Sequence, residues 1–162
     1  MTLTTHAIVG AAAAQIFPSQ PWLAFFAGFI SHFIIDTIPH RDYSLSSLTE
    51  SADDPLAADM AINKNSIKDF LKVGFDASLG IVLASFIFTN FYESTLLLAI
   101  IGAVGGIVPD GLQFAYWKMR IEPLKSLQRF HIWIQRHSPL NVPWLTSLSH
   151  QALIIAVILS LI

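Results

Sequence analysis

GFISHFIIDTIPHRD, residues 28–42, sets His32, Asp36 and His40 in or beside a run that otherwise has the composition of a lipid-embedded helix. Ionisable groups are costly in such a segment and mark a functional site by default. His32 and Asp36 are four residues apart, so a helix carries both on one face, where they can share one ion. His40 repeats the step beyond Pro39, from where it either binds from a turn or caps the helix end.

The rest of the chain agrees with a membrane setting. Of 162 residues, 54% are hydrophobic and 12% charged, and the mean hydropathy is +0.59, outside ordinary soluble composition. The net charge of −2 and the single, scattered basic residues give no footprint for nucleic acid, so DNA and RNA are excluded as partners. With no cysteine, any metal must be held by His and carboxylates, a donor set suited to zinc, with manganese the other candidate.

Hydropathy predicts an all-α, single-domain membrane bundle over residues 1–162, with five spans at about 4–17, 22–38, 67–91, 94–117 and 143–162. The first is short, and the turn 18–21 allows only an antiparallel hairpin. Residues 41–65 read as a polar loop with one short helix near 56–62, and Ser66 as the cap of the third span. Gly102 and Gly106 are spaced for close helix packing. Residues 121–138 are amphipathic and suit a helix lying in the interface. With five crossings, every Lys and Arg falls on one face, which the positive-inside rule makes cytoplasmic, leaving the C-terminus outside. The expected location is a prokaryotic inner membrane.

The same threading brings His6, His32, Asp36, His40, Asp76, Asp110 and His150 to one height, with His131 on the interfacial stretch able to reach down. Such a layer is how bundles build metal sites. Three intramembrane Asp require compensation by a metal, by Lys or Arg, by polar neighbours or by protonation. Lys72, one turn before Asp76, is its candidate ion-pair partner or a contact for substrate phosphate, as are Arg129 and Arg136. His137 reads as an interface residue. The bland alternative is a polar network hydrogen-bonded across helices.

Thr5-His6 before a Gly/Ala helix, the 28–40 segment, Val108-Pro109-Asp110 and the late His residues together resemble the membrane-bound metal-dependent hydrolases, also described as LexA-binding, inner-membrane-associated hydrolases. In outline the arrangement is also similar to soluble zinc-dependent phospholipase C. The resemblance implies His6, His32, Asp36, Asp110 and His131 or His150 as ligands, with Asp76 bridging or acting as base. The family's Pro-Asp-Ile-Asp-His element appears here only as Pro109-Asp110-Gly111-Leu112-Gln113, without its second acid and its His, so one or two ions are expected rather than three.

The expected activity is hydrolysis of phosphoesters, with a phospholipid or lipid-linked phosphate as substrate, by a metal-activated water at the cytoplasmic face. Asp76 or Asp36 is the candidate base and Lys72 the candidate phosphate contact. The alternatives are a proton- or metal-ion-handling membrane protein and a non-catalytic scaffold stabilised by metal.

Overall fold

A computed structural model describes residues 1–51, 53–136 and 142–162. Helix α1 (Leu3–Ala14) is Ala- and Gly-rich, apolar on all sides and buried almost throughout, as befits a helix surrounded by protein. The Thr2 side chain caps it by accepting from the Thr5 amide. After a tight turn, α2 (Pro21–Ile35) starts with proline at its first position and ends at Asp36, short of Pro39.

At ~1.5 Å per residue, α1 and α2 are about 18 and 22 Å long, less than the ~30 Å of a hydrocarbon core. Three helices are long and apolar enough to cross a membrane: α3 (Lys64–Phe91), α4 (Leu96–Met119) and α6 (Trp144–Leu161). Of the five expected spans, these three are full-length candidates, and α1 and α2 form a shorter apolar hairpin docked on α3 and α4. Leu71, Phe75, Val82 and Phe86 of α3 and Leu153, Val157 and Leu161 of α6 are exposed, the outer surface of a membrane protein.

Between α2 and α3 the chain is the expected polar loop, but the described residues form a shorter turn in place of the helix expected near 56–62. A 3-10 turn, Pro55–Ala57, is started by Pro55 and capped by Asp54, which accepts from the Leu56 amide. Two short strands, β1 (Leu48–Thr49) and β2 (Asp59–Met60), pair antiparallel with Leu48 opposite Met60. The segment is too short to repay helix nucleation. Its polar groups are used by neighbours instead: Lys118 bonds Asp59 at 2.7 Å, Arg120 the Ala58 carbonyl at 2.6 Å, and Ser47 donates to Asp69 of α3 at 2.6 and 2.8 Å. The N-cap of α3 is Asn63 rather than Ser66, which sits at the third helical position and completes a reciprocal capping box.

Glycines set the approach of α1 and α2 to α4. A Cβ on Gly106 would lie 2.2 Å from the His6 carbonyl, and one on Gly102 would lie 2.5 Å from the Gly10 carbonyl. From the other side, a Cβ on Gly28 would meet the Gly102 carbonyl at 2.4 Å. Both short helices thus touch α4 backbone to backbone, the contact that small residues permit in membrane bundles. Finally α5 (Leu124–Arg136) is amphipathic, turning Gln128, His131 and Ile134 inward and leaving Arg129, Phe130 and Trp133 outward.

Gly106→Ala is expected to lower stability by about 1–3 kcal/mol through overpacking against backbone. Gly74→Ala, whose new methyl meets nothing within 4 Å, is expected to be neutral or mildly stabilising in the same detergent thermal-unfolding assay.

Candidate metal centre

Asp36 is the hub of the bundle's polar interior. As the residue that ends α2 it lies one helical step from His32, and its carboxylate is 1% exposed. Four imidazole Nε2 atoms from four parts of the chain converge on it. On the Oδ2 side stand His131 of α5 at 3.1 Å and His32 of α2 at 3.4 Å. On the Oδ1 side stand His6 of α1 at 3.3 Å and His40 of the following loop at 3.7 Å. Asp110, which follows Pro109 in α4, approaches His32 at 3.7 Å and His131 at 3.9 Å. Asp42 completes the other side, 3.0 Å from His40 Nε2.

Backbone carbonyls orient these rings. A carbonyl only accepts, so His32 Nδ1–H donates to Gly106 at 2.8 Å and His40 Nδ1–H to Ile38 at 2.8 Å. In the neutral ring each Nε2 then carries a lone pair aimed inward, as in metal-ligating histidines whose other ring nitrogen donates to a carbonyl. The rings of His6 and His32 stack at 3.9 Å, and Phe33 lies edge-on to both His32 and His131.

The donors fit a divalent cation. His32, Asp36 and His131 offer donor atoms within 4.8 Å of one another, and so do His6, His32 and Asp110. His6 Nε2, His40 Nε2 and Asp36 Oδ1 are buried without a hydrogen-bond partner. His32 Nε2 and His131 Nε2 lie 3.4 Å apart beside Asp36 Oδ2, and three acceptors at such range repel unless a proton or a cation is shared between them.

Of the residues singled out in the sequence, the structure brings together His6, His32, Asp36, His40, Asp110 and His131. Asp76 is elsewhere: its carboxylate caps α1, accepting from the Leu3 amide at 2.6 Å, the Thr4 amide at 3.2 Å and the Thr4 hydroxyl at 2.7 Å. Tyr43 also donates to it, and burial together with that bond pushes the Tyr43 hydroxyl well above its ordinary pKa. The expectation of a ligand or base at Asp76 is corrected to a capping carboxylate at a helix N-terminus.

Lys72 does not pair with Asp76. Its ammonium donates to the Ser44 carbonyl at 3.2 Å and lies over the Tyr43 ring, beside a separate small pocket. His150 is turned to the loop, Nδ1–H donating to the Pro39 carbonyl at 2.7 Å, so it braces the chain before His40 rather than joining the cluster. Arg136 lines the cavity that Asp110 faces, Arg129 is exposed on α5, and His137 lies outside the described residues. Asp42 was not singled out from sequence. Its signal is its place two residues after His40, in a stretch whose polarity suggested only solvent.

No family model, curated protein or solved structure matches this chain.

Asp36→Asn is expected to abolish metal retention, whereas Asp76→Asn is expected to keep it and lower the melting temperature, by about 1–3 kcal/mol of stability for mispaired amides. Metal content by mass spectrometry beside thermal unfolding checks both. Loss of metal with unchanged melting in Asp76→Asn would return that carboxylate to the site.

Proposed function

We propose that the protein is a metal-dependent hydrolase of phosphoesters, related to the membrane-bound metal-dependent hydrolases and working at the cytoplasmic face of a prokaryotic inner membrane. The observation that carries this reading is the convergence of four buried imidazoles on Asp36, with Asp42 and Asp110 at either side. His32, His131, Asp36 and Asp110 would hold one ion, and His6, His40, Asp36 and Asp42 a second. Zinc suits this donor set. A divalent ion there supplies positive charge for a phosphoryl oxygen and lowers the pKa of water toward neutrality.

The chain's own residues divide the remaining work. Asp36, enclosed by imidazoles, holds the ligand rings in place. Asp110 is 27% exposed and faces the adjoining cavity, so it is the carboxylate positioned to take a proton during hydrolysis. All nine Lys and Arg lie at the end of the bundle that carries the cluster, and this sidedness is the same whether the α1–α2 hairpin crosses fully or only enters. That end is the cytoplasmic one by the positive-inside rule, with the C-terminus outside. A transport path is disfavoured because the far half of the bundle is filled by Ala11, Ala84, Phe88, Ala99 and Ala103.

Protein purified in detergent is expected to carry zinc or manganese near stoichiometrically and to lose it in the His32→Ala/Asp36→Ala double variant. It should hydrolyse members of a soluble phosphoester panel, with Asp110→Asn slower by about 10²–10⁴-fold. Metal without activity on any ester would leave a metal-stabilised scaffold. No metal, even after reconstitution, would overturn the hydrolase reading.

A further inference from the structure

His6, His32 and Asp110 reach the cluster from α1, α2 and α4, the helices that meet backbone to backbone. His131 reaches it from α5, which packs chiefly on α4 and the Pro55–Ala57 turn and buries only Gln128, His131 and Ile134. A helix of 13 residues is marginal by itself in water, so the position of α5 rests on what its two faces bury. Of the cluster's imidazoles, the one on α5 is therefore the one whose seat depends on surroundings outside the glycine-packed core.

The outer face of α5 combines aromatic rings with positive charge. Phe130 and Trp133 are 44% and 56% exposed and stack at 5.9 Å. Phe130 also abuts Phe33 of α2, beside which Ile30 and Ile34 continue the exposed apolar surface. Residues 118–136 carry five Lys or Arg against one acid, Glu122, whose carboxylate accepts from Ser126 at 2.7 and 3.1 Å. Lys118 is bonded to Asp59 and Arg120 to the Ala58 carbonyl, which leaves Lys125, Arg129 and Arg136 as the cations of α5 itself. Chain connection fixes the level of this face. α5 follows directly on the Met119 end of one candidate span and precedes the Trp144 start of another, so it is held where both leave the membrane. Aromatic rings interleaved with basic side chains at that level match the headgroup zone of an anionic bilayer.

We infer that α5 docks on the anionic lipid surface and that this docking seats His131 in the cluster, so that membrane charge sets how tightly the ion of His32, Asp36, His131 and Asp110 is held. The docking rests on α5 alone; the coupling rests on the metal reading of the site, and neither rests on hydrolysis. His131 and Trp133 are two residues apart on opposite faces of one rigid helix, so a lipid contact that holds one in place holds the other. The apparent affinity of a site falls with the fraction of the population in its competent form, here the form with α5 docked. The coupling is reciprocal: anionic lipid tightens metal binding, and metal raises the docked fraction of α5.

The test compares the full chain in nanodiscs of phosphatidylcholine and of an equal mixture with phosphatidylglycerol, at one ionic strength. Zinc affinity is read by competition with a chromogenic chelator, and α5 docking by hydrogen exchange of its amides. In phosphatidylglycerol, zinc is expected to bind about three- to ten-fold more tightly and the α5 amides to exchange more slowly, with zinc slowing them further. Lys125→Gln/Arg129→Gln should lower the phosphatidylglycerol affinity to the phosphatidylcholine value and leave the latter unchanged. His131→Ala should remove the lipid dependence of zinc affinity while α5 exchange keeps its own. Equal affinity in the two discs would overturn the inference. So would a gain that the double charge variant retains, since the anionic surface would then merely concentrate zinc. Protection of α5 that rises with protein concentration in detergent would assign the face to a second copy and overturn it as well. Zinc uptake in neither disc would sink the metal reading and the coupling together. Lipid-dependent zinc binding without hydrolysis of any phosphoester would keep this inference and remove the hydrolase reading, whereas hydrolysis with lipid-independent zinc binding would do the reverse.

Discussion

The backbone contact of α1 and α2 with α4 is the constraint from which the rest follows. Gly10 and Gly28 approach Gly102 and Gly106 so closely that no side chain fits between the helices. That approach brings His6 over His32 at stacking distance and puts the Gly106 carbonyl within reach of His32 Nδ1. One α4 turn therefore performs two tasks, spacing the helices and setting a histidine tautomer. Pro109 follows at once, withholding a helical donor from the Gly105 carbonyl and leading the chain into Asp110. A bulkier crossing would separate the imidazoles and leave Asp36 a buried, unshared charge.

Holding so many ionisable groups together needs braces outside the cluster. Asp76 fixes the start of α1 from α3, while Gln151 of α6 accepts from the Thr2 amide and hydroxyl and from the Thr5 hydroxyl. His6 sits one residue beyond these anchors, so its ring position is inherited from a carboxylate and an amide on two different spans. His150 and Ser147 of α6 do the same for the loop, binding the Pro39 carbonyl and the Arg41 amide on either side of His40. A helix whose outer face is apolar thus serves the site through its first two turns alone.

The helical class, the close packing at Gly102 and Gly106 and the His32–Asp36 pair were legible because each rests on spacing along one helix. Span number was less so. Hydropathy identifies α1 and α2 as apolar without distinguishing a helix shielded by protein from one bathed in lipid, and only their lengths, set by Pro18, Pro21 and Pro39, separate the two cases. The readings of Asp76 and His150 failed for a related reason. Which way a side chain turns depends on neighbours that sequence does not name, and both are turned to backbone groups. Asp42 escaped because a polar loop was taken as solvated, whereas Pro39 folds it back onto the cluster.

The polar interior is also one-sided, and this limits what chemistry the fold allows. Toward the far face the same helices close on alanines and Phe88, and Tyr92 donates its hydroxyl to the Leu159 carbonyl, sealing α3 against α6. Toward the basic face the cluster is covered by α5 and by the β1–β2 hairpin, which Lys118, Arg120 and Tyr116 tie to the end of α4. The cavity that Asp42 and Asp110 line offers an approach to the cluster from this side. A polar interior closed toward the far face suits a reaction whose reactant and products use the same side of the membrane.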